Sequence, residues 1–173
     1  MQKRIFFAIN IPSEIKNEIF SKISSEIPEN KMNLVKAENI HFTILFLGYF
    51  SEESIEELKV KLQQFEFKKF KIKISGVGQF NGKIIWLDVE EGGDEMQKLN
   101  SELIKLLQIS DNKFSTHATI ARNKFLGRNT INELIEKLKQ NNFTAEFEAE
   151  TLDLMESVLS EKGSDYKKLL SWH

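Results

Sequence analysis

The feature that most constrains the fold is a strict alternation of apolar and charged residues in one extended segment. Phe70, Ile72 and Ile74 alternate with Lys71 and Lys73. Because successive side chains of a strand point to opposite faces, this segment predicts a strand with one buried face and one hydrated face. Such strands are typical of antiparallel sheets rather than of parallel sheets covered by helices on both sides. Combined with amphipathic helical segments, the pattern predicts an α+β fold.

Four segments carry signals of helices. The apolar faces predicted for the first three are Ile15, Ile19 and Ile23; then Ile55, Leu58, Leu62 and Phe65; then Met96, Leu99, Leu103 and Leu106. We expect Ser13 and Ser51 to be the N-caps of the first two helices. Thr130 and Glu133 form a capping-box pattern, which predicts the start of a fourth helix ending near Leu138.

Strands are predicted in the segments between these helices. The apolar run from Ile5 to Ile9 predicts a buried first strand, and a loop after Lys31 leads into a strand that Gly48 closes. The dipeptide Asn81-Gly82 is a strong hairpin signal between two apolar segments. We expect two or three strands after the fourth helix, the last of them short.

The composition limits where the protein acts and what it can bind. The 173 residues suit a single domain, which we take to span residues 1–173. A net charge of −2 argues against non-specific coating of nucleic acid but leaves room for a pocket that binds one or two phosphates. The sequence has no cysteine, which excludes thiol nucleophiles, thiolate metal sites and disulfides. Since no apolar stretch is long enough to cross a bilayer, we expect a cytoplasmic protein.

Two of the three histidines lie in the same short pattern, His-x-Thr. The two copies are His41-Phe42-Thr43 and His117-Ala118-Thr119. Residues i and i+2 of a strand project from one face, so each histidine is expected beside its threonine. If the two strands are neighbours, one imidazole can accept a proton while the other donates one. The threonine hydroxyls can then stabilise negative charge on phosphate oxygens.

These residues also have purely structural interpretations. A single histidine in an apolar strand can be a core residue with satisfied hydrogen bonds, although two copies of one pattern argue against this. Arg122, five residues after His117, can hold a phosphate through two hydrogen bonds or can be an ordinary surface residue. Lys113, Lys124 and Arg128 can guide RNA to the site or belong to solvated loops, and the second interpretation is favoured.

Aromatic and metal-binding functions are less well supported by the pattern. Phe7, Phe46 and Trp86 can stack a nucleic-acid base, but core packing is the favoured interpretation for each. The two histidine motifs lack a nearby carboxylate cluster and lack the His-x-x-x-His spacing of a helical zinc site. We therefore predict neither a metal nor another cofactor.

Around these motifs the chain resembles the two-histidine phosphoesterase superfamily, specifically the RNA 2′,3′-cyclic phosphodiesterases that are also called 2′-5′ RNA ligases. The matching stretches are RIFFAINIP, AENIHFTILFLG, GVGQFNGKIIWLDV, HATIAR and LMESVLSEKGSDYKKL. The resemblance implies a bilobal α+β fold, in which antiparallel sheets of two pseudo-symmetric lobes line a central cleft and the helices lie outside.

The resemblance also implies roles for the residues of the site. His41 would donate a proton to the leaving 3′ oxygen, and His117 would accept the proton of the attacking water. This reaction would leave a 2′-phosphomonoester. Thr43, Thr119 and Arg122 would hold the phosphate, without a metal.

Three hypotheses for the function follow. The first is hydrolysis of RNA 2′,3′-cyclic phosphate ends by a monomeric enzyme, with reversible 2′-5′ ligation as a related activity and tRNA halves as candidate substrates. The second is a related phosphoesterase that acts on another cyclic or oligonucleotide substrate. The third is a non-catalytic RNA-binding module, against which the presence of two titrating side chains argues.

Overall fold

A computed structural model describes residues 2–110, 114–160 and 163–173. Along these residues, helices are interspersed with single strands or pairs of strands. In order, the elements are β1 (Lys3–Asn10), α1 (Ser13–Lys22), a 3₁₀ turn (Ser24–Glu26), β2 (Met32–Leu34), a second 3₁₀ turn (Ala37–Asn39), β3 (His41–Phe50), α2 (Glu52–Lys61), β4 (Phe70–Phe80), β5 (Ile84–Glu91), α3 (Gly93–Leu107), β6 (Ala118–Asn123), α4 (Arg128–Lys139), β7 (Thr144–Ala149), β8 (Leu152–Ser160) and β9 (Gly163–Trp172). Lys113 lies outside the described residues.

The strands form one sheet in the order β7-β4-β5-β6-β3-β1-β8-β9, and β2 also pairs with β6. Every pairing described is antiparallel, which confirms the class predicted from the alternation. Apart from β2, four strands lie on each side of the contact between β6 and β3, where Phe42 is opposite Ala118. The two related halves predicted for the fold are therefore parts of one sheet, and they meet at the strands that carry the two motifs.

The alternation in β4 and the predicted hairpin are both confirmed. Ile72 and Ile74 are fully buried, whereas Lys71 and Lys73 form ion pairs on the hydrated face. The turn Asn81-Gly82 joins β4 to β5, and both of its residues have positive φ, as a type I′ hairpin turn requires.

The helices pack on the sheet and enclose its apolar side chains. Helix α3 contacts β3 and β5, α4 contacts β4, and α2 contacts β3 and α3. The core they form is almost free of solvent and includes Ile5, Phe7, Ile9, Ile19, Phe42, Leu62, Ile85, Leu87, Leu103 and Ile120. Among the described residues, no helix is both long and apolar enough to cross a membrane. The cytoplasmic location stays a prediction.

The N-cap of the first helix was wrongly predicted, whereas that of the second is confirmed. Helix α1 begins at Ser13, so the residue at the N-cap is Pro12, which makes no side-chain cap. Ser51 does cap α2, because its Oγ accepts a hydrogen bond from the Ser54 backbone N–H at 3.1 Å. Such caps satisfy one of the free N–H groups in the first turn.

The capping box predicted for the fourth helix is wrong. Helix α4 begins at Arg128, and its N-cap is Gly127, whose carbonyl accepts the Ile131 N–H at 3.0 Å. Thr130 and Glu133 therefore lie inside the helix rather than at its boundary. A capping-box pattern indicates a helix start only when the chain is extended at its first residue, and here the extended residue is Gly127.

The inner face predicted for α3 is confirmed except at the C-terminal end of the helix. Met96, Leu99 and Leu103 are buried as predicted, but Leu106 is 42% exposed. Leu107 takes the inner position and is 8% exposed. With 3.6 residues per turn, the face that contains positions 96, 99 and 103 continues at 107.

Two strand predictions need correction. The segment Met32–Leu34, predicted as part of a loop, forms β2 against β6. Three residues are too few to show an alternation, so this strand had no recognisable signal. The final strand is not short but spans Gly163–Trp172 and pairs with β8.

Candidate active site

A cleft of about 800 Å³ opens at the seam between the two halves of the sheet, where β3 and β6 meet. All five residues predicted for the site line this cleft: His41, Thr43, His117, Thr119 and Arg122. The structure therefore brings together side chains from two parts of the chain that are far apart in sequence. Lys124 and Arg128, for which a role in guiding RNA was the less favoured interpretation, do not line the cleft.

The register of the seam explains how the two motifs face each other. Phe42 and Ala118 are paired and buried, so their side chains point into the core. Residues on either side of a paired position point to the opposite face, which here is the cleft. Extending the antiparallel register by one residue places His41 opposite Thr119 and Thr43 opposite His117. The four polar groups thus occupy the corners of one small patch.

The first histidine has a defined tautomer. Nδ1 of His41 lies 2.7 Å from the carbonyl oxygen of Asn39, and Nε2 lies 2.9 Å from Oγ1 of Thr43. Because a carbonyl only accepts, Nδ1 carries the hydrogen. In the neutral ring, Nε2 is then the acceptor of the Thr43 hydroxyl hydrogen.

Burial controls the charge of the first histidine. The ring of His41 packs against Phe6 and Tyr166, with centroids 5.1 and 5.0 Å away. This loss of hydration is the main reason why the pKa of His41 is lowered to about 4; the electrostatic influence of Lys16 and His117 acts in the same direction, and the hydrogen bond to Asn39 opposes the shift. His41 is therefore neutral at pH 7 in the unliganded cleft.

The second histidine is held in an equivalent way. Nδ1 of His117 lies 2.7 Å from the carbonyl oxygen of Ser115, two residues earlier, just as Nδ1 of His41 contacts the carbonyl two residues before it. Its ring is edge-on to Phe80 at 5.0 Å, with Trp86 at 6.4 Å. Both imidazoles are consequently fixed with Nε2 as the nitrogen available for proton transfer.

An extra residue in β3 changes which side chains reach the cleft. Ala8 pairs with Thr43, but Phe6 pairs with Phe46, so the β-bulge inserts one residue between them. Ala8 and Phe6 are two apart and share a face, which puts Thr43 and Phe46 on a common face as well. Phe46 lines the cleft and is 49% exposed.

Strand β6 contains a bulge at the equivalent place. Trp86 pairs with Thr119 and Ile84 pairs with Arg122, so Ile120 is the extra residue. By the same reasoning, Thr119 and Arg122 share a face. In each motif strand, the residue three positions after the threonine, Phe46 or Arg122, therefore faces the cleft. In a strand with regular alternation this residue would point to the opposite face.

The carbonyls at both bulges are bonded from outside the regular ladder. The buried side chain of Asn100 on α3 donates to the Ile44 carbonyl at 2.8 Å. The Ile120 carbonyl accepts the Val35 backbone N–H, also at 2.8 Å. Asn100 lines the cleft and was not predicted from the sequence, since a single asparagine on a helical face carries no recognisable signal.

Three further residues at the cleft were not predicted from the sequence. The amide of Asn39 donates to the Ser164 carbonyl at 2.7 Å, which ties the turn that holds His41 to β9. Lys36 and Tyr166 also line the cleft. The contacts of these residues are long-range, so local patterns could not reveal them.

The charges around the cleft favour an anionic ligand. The described lining residues include the cations Lys36 and Arg122 and no Asp or Glu, in a chain that has 26 acidic residues. A recess lined by one sign of charge concentrates ligands of the opposite sign. Residues 2–110, 114–160 and 163–173 contain no group of three His, Asp or Glu side chains suited to a metal ion. Metal independence stays a prediction.

The aromatic residues proposed for base stacking have different environments. Phe7 is fully buried in the core, as favoured from the sequence. Trp86 is half-buried beside the site, where it packs against Phe80 and His117. Phe46, by contrast, is open to the cleft, and the core interpretation is wrong for it because the bulge in β3 rotates it outward.

Comparisons with known proteins agree with this architecture. The structure of Escherichia coli LigT complexed with phosphate superposes with a TM-score of 0.77 over 99% of this chain and 96% of that chain, at 22% identity. LigT complexed with 3′-AMP gives a TM-score of 0.79, also at 22% identity, over 99% of this chain and 98% of that chain. At this identity the likeness establishes the fold.

Sequence comparisons extend the likeness to the family. The protein named RNA 2′,3′-cyclic phosphodiesterase from Methanocaldococcus jannaschii is 31% identical over 98% of this chain and 99% of its own length. The protein of the same name from Archaeoglobus fulgidus is 29% identical over 96% of this chain and 97% of its own length. The family model of the 2′-5′ RNA ligase superfamily matches residues 11–161. The chain therefore belongs to the 2′-5′ RNA ligase superfamily.

Proposed function

We propose that this protein hydrolyses the 2′,3′-cyclic phosphate at the 3′ end of RNA and leaves a 2′-phosphomonoester. The observation that carries the proposal is the convergence of the two His-x-Thr motifs on one cleft whose described lining has no carboxylate. Relatives that match nearly the whole chain are named RNA 2′,3′-cyclic phosphodiesterase, which supports the same substrate.

The reaction needs a base and an acid on opposite sides of the phosphorus. We assign His117 as the base that takes a proton from the attacking water and His41 as the acid that protonates the leaving 3′ oxygen. Two imidazoles can share these roles near neutral pH. In the unliganded cleft the pKa of His41 is about 4, so the donor role requires that the bound phosphate raise it.

The remaining polar groups of the cleft are suited to holding the phosphate. The hydroxyls of Thr43 and Thr119 can donate to its non-bridging oxygens. Arg122 reaches the same face through the bulge in β6 and can form two parallel hydrogen bonds to the phosphate. Donors placed around the phosphate in this way would stabilise the negative charge that develops in the transition state.

The test of this function is turnover of a nucleoside 2′,3′-cyclic phosphate in the presence of a metal chelator. We expect the 2′-phosphate as the product, and we expect His41→Ala and His117→Ala each to lower kcat by about a hundredfold or more. His173→Ala is the matched control, because that histidine is exposed at the C-terminal position outside the cleft.

Three outcomes would contradict the proposal. Full activity of His117→Ala would exclude the mechanism, and a 3′-phosphate product would reverse the leaving group. Binding of cyclic-ended RNA without turnover from about pH 5 to about pH 9 would instead identify an RNA-binding module. Turnover of other cyclic phosphates in preference to RNA ends would identify a related phosphoesterase with a different substrate.

We further propose that Phe46 stacks the terminal base of the substrate. Its ring packs against that of Phe6, with centroids 5.3 Å apart, and the guanidinium of Arg4 lies over the ring at 5.4 Å from its centroid. Stacking of a base on an aromatic ring is worth about 1–3 kcal/mol.

Replacement of Phe46 tests this stacking. Phe46→Ala should lower kcat/KM for a cyclic nucleotide by roughly tenfold or more, and Phe46→Tyr should retain most of the activity. Phe125→Ala is the control, because Phe125 is 74% exposed and does not line the cleft. Equal effects of Phe46→Ala and Phe125→Ala would contradict the stacking.

We extend the proposal to ligation. A 5′-hydroxyl that takes the place of water would join two RNA ends through a 2′-5′ bond, since the same acid and base serve both directions. The name of the superfamily supports this activity. Incubation of a 2′,3′-cyclic-ended RNA half with a 5′-hydroxyl half, such as the two halves of a tRNA, tests it. Failure to form a joined product under conditions where hydrolysis proceeds would exclude it.

A further inference from the structure

A lysine lies where the central cleft meets a second recess. The side chain of Lys36 lines both the cleft and an adjacent groove of about 470 Å³, as do Asn33 and Leu34 of β2. The groove therefore borders the cleft along these residues. A ligand too long for the cleft would leave it past this residue.

Lys36 is linked directly to the turn that orients His41. Its backbone carbonyl accepts the Asn39 N–H at 2.9 Å, and the Asn39 carbonyl in turn fixes the imidazole of His41. The ammonium group of Lys36 lies 2.8 Å from Oδ1 of Asp165, and the two side chains are 41% and 54% exposed. An ion pair with this exposure is weak, so a substrate phosphate can take the place of the carboxylate.

The walls of the groove suit a base better than a phosphate. Phe20 is 37% exposed and offers an aromatic face. Glu29 and Glu38 also line the groove, and their carboxylates repel phosphate but accept hydrogen bonds from the amino groups of bases. The amide of Asn33 can both donate to and accept from a base edge.

We propose that Lys36 binds the phosphodiester on the 5′ side of the terminal nucleotide and that the groove receives the preceding base. The preferred substrate would then be an oligonucleotide end rather than a mononucleotide. This inference rests on the proposed function, because it takes the terminal cyclic phosphate to lie between His41 and His117.

The experiment compares three substrates that share one terminal cyclic nucleotide: the nucleoside 2′,3′-cyclic phosphate, the same compound with a 5′ phosphate, and a dinucleotide. For each, kcat/KM is measured at low ionic strength. We expect the wild-type protein to prefer both longer substrates over the first. In Lys36→Met, we expect the ratio of kcat/KM for dinucleotide over mononucleotide to fall about fivefold, the upper range for one exposed charge pair.

A matched lysine on the outside of the sheet provides the control. Lys73 forms an ion pair with Glu90 at the same distance, 2.8 Å, and is similarly exposed, but it lies on β4 and does not line the cleft. Lys73→Met should leave the ratio unchanged. Lys36→Arg should preserve most of the wild-type ratio, because a phosphate accepts hydrogen bonds from either cation.

The outcomes separate this inference from the function on which it rests. If replacement of Lys36 damaged only the turn that holds His41, kcat/KM would fall equally for all three substrates, and the ratio of dinucleotide over mononucleotide would stay unchanged. This result would overturn the role of Lys36 while leaving the hydrolase intact. A wild-type protein without preference for the longer substrates would overturn it in the same way. Absence of wild-type turnover of all three substrates would overturn the proposed function itself.

Discussion

At the scale of single residues, the two imidazoles share one orienting contact but not one environment. Each Nδ1 faces a backbone carbonyl two residues earlier, at 2.7 Å. In His41, however, Nε2 is also hydrogen-bonded to the hydroxyl of Thr43, and the ring packs against Phe6 and Tyr166. The identical motifs therefore place their two imidazoles in different surroundings, although the orienting contact is the same.

The charge of His41 provides a test at this scale. Its pKa is lowered to about 4 by burial, so an NMR titration of the free protein should show the ring neutral down to about pH 5. Inorganic phosphate bound beside Nε2 stabilises the imidazolium, and we expect it to raise this pKa by about one unit or more. Sodium chloride at equal ionic strength is the control. A pKa that stays near 4 with phosphate bound would contradict the donor role.

At the scale of elements, the two motif strands use the same irregularity. Each carries one extra residue directly after its His-x-Thr, Ile44 in β3 and Ile120 in β6. The bulge in β3 depends on α3, because Asn100 supplies the partner of the Ile44 carbonyl. A helix thus maintains the shape of the strand that holds the first histidine and Phe46.

Removal of this partner should destabilise the protein. Asn100→Ala leaves the buried Ile44 carbonyl without its donor, and we expect the free energy of unfolding to fall by about 1–3 kcal/mol. Urea unfolding at neutral pH measures the loss. Ser101→Ala, on the exposed side of the same helix, should change the free energy of unfolding much less. Equal stabilities of the two variants would show that the Ile44 carbonyl finds another partner.

The elements also show how far local patterns predict this fold. The alternation of apolar and charged residues correctly predicted β4, and the Asn81-Gly82 dipeptide correctly predicted the hairpin that follows it. The helical spacing of apolar residues correctly predicted the inner face of α3 as far as Leu103. The same rule of alternation would place Phe46 and Arg122 away from the cleft. It fails there because an inserted residue changes the face of everything after it, and nothing local in the sequence marks Ile44 or Ile120 as extra.

At the scale of the whole molecule, the site lies on the seam between the two halves of one sheet. His41 and Thr43 belong to one half, and His117, Thr119 and Arg122 belong to the other. The repeated motif indicated a shared site, but its position on this seam depends on the pairing of Phe42 with Ala118, residues far apart in sequence. The five candidate residues, which share one cleft, were thus predictable from the motifs and the resemblance, whereas the places of Asn39 and Lys36 at this cleft became apparent only with the folded chain.

A ligand that bridges the halves should stabilise the entire fold. Phosphate at about one hundred times its Kd adds about 2.7 kcal/mol to the free energy of unfolding, which corresponds to a Tm increase of about 5–10 °C for a chain of this length. Arg122→Met should reduce this increase, because the variant lacks the cation of the β6 half, whereas His173→Ala should retain it. Thermal scans with and without phosphate provide the measurement. An undiminished increase in Arg122→Met would place the phosphate elsewhere.

The paired bulges also have a consequence for engineering. Positions 46 and 122 are exposed positions that each directly follow a buried residue, Leu45 and Ala121, so they can be exchanged without repacking the interior. One position meets the nucleobase in our proposal and the other meets the phosphate. A library restricted to these two codons would therefore vary the side chains that face the ligand while the two imidazoles and the scaffold stay unchanged.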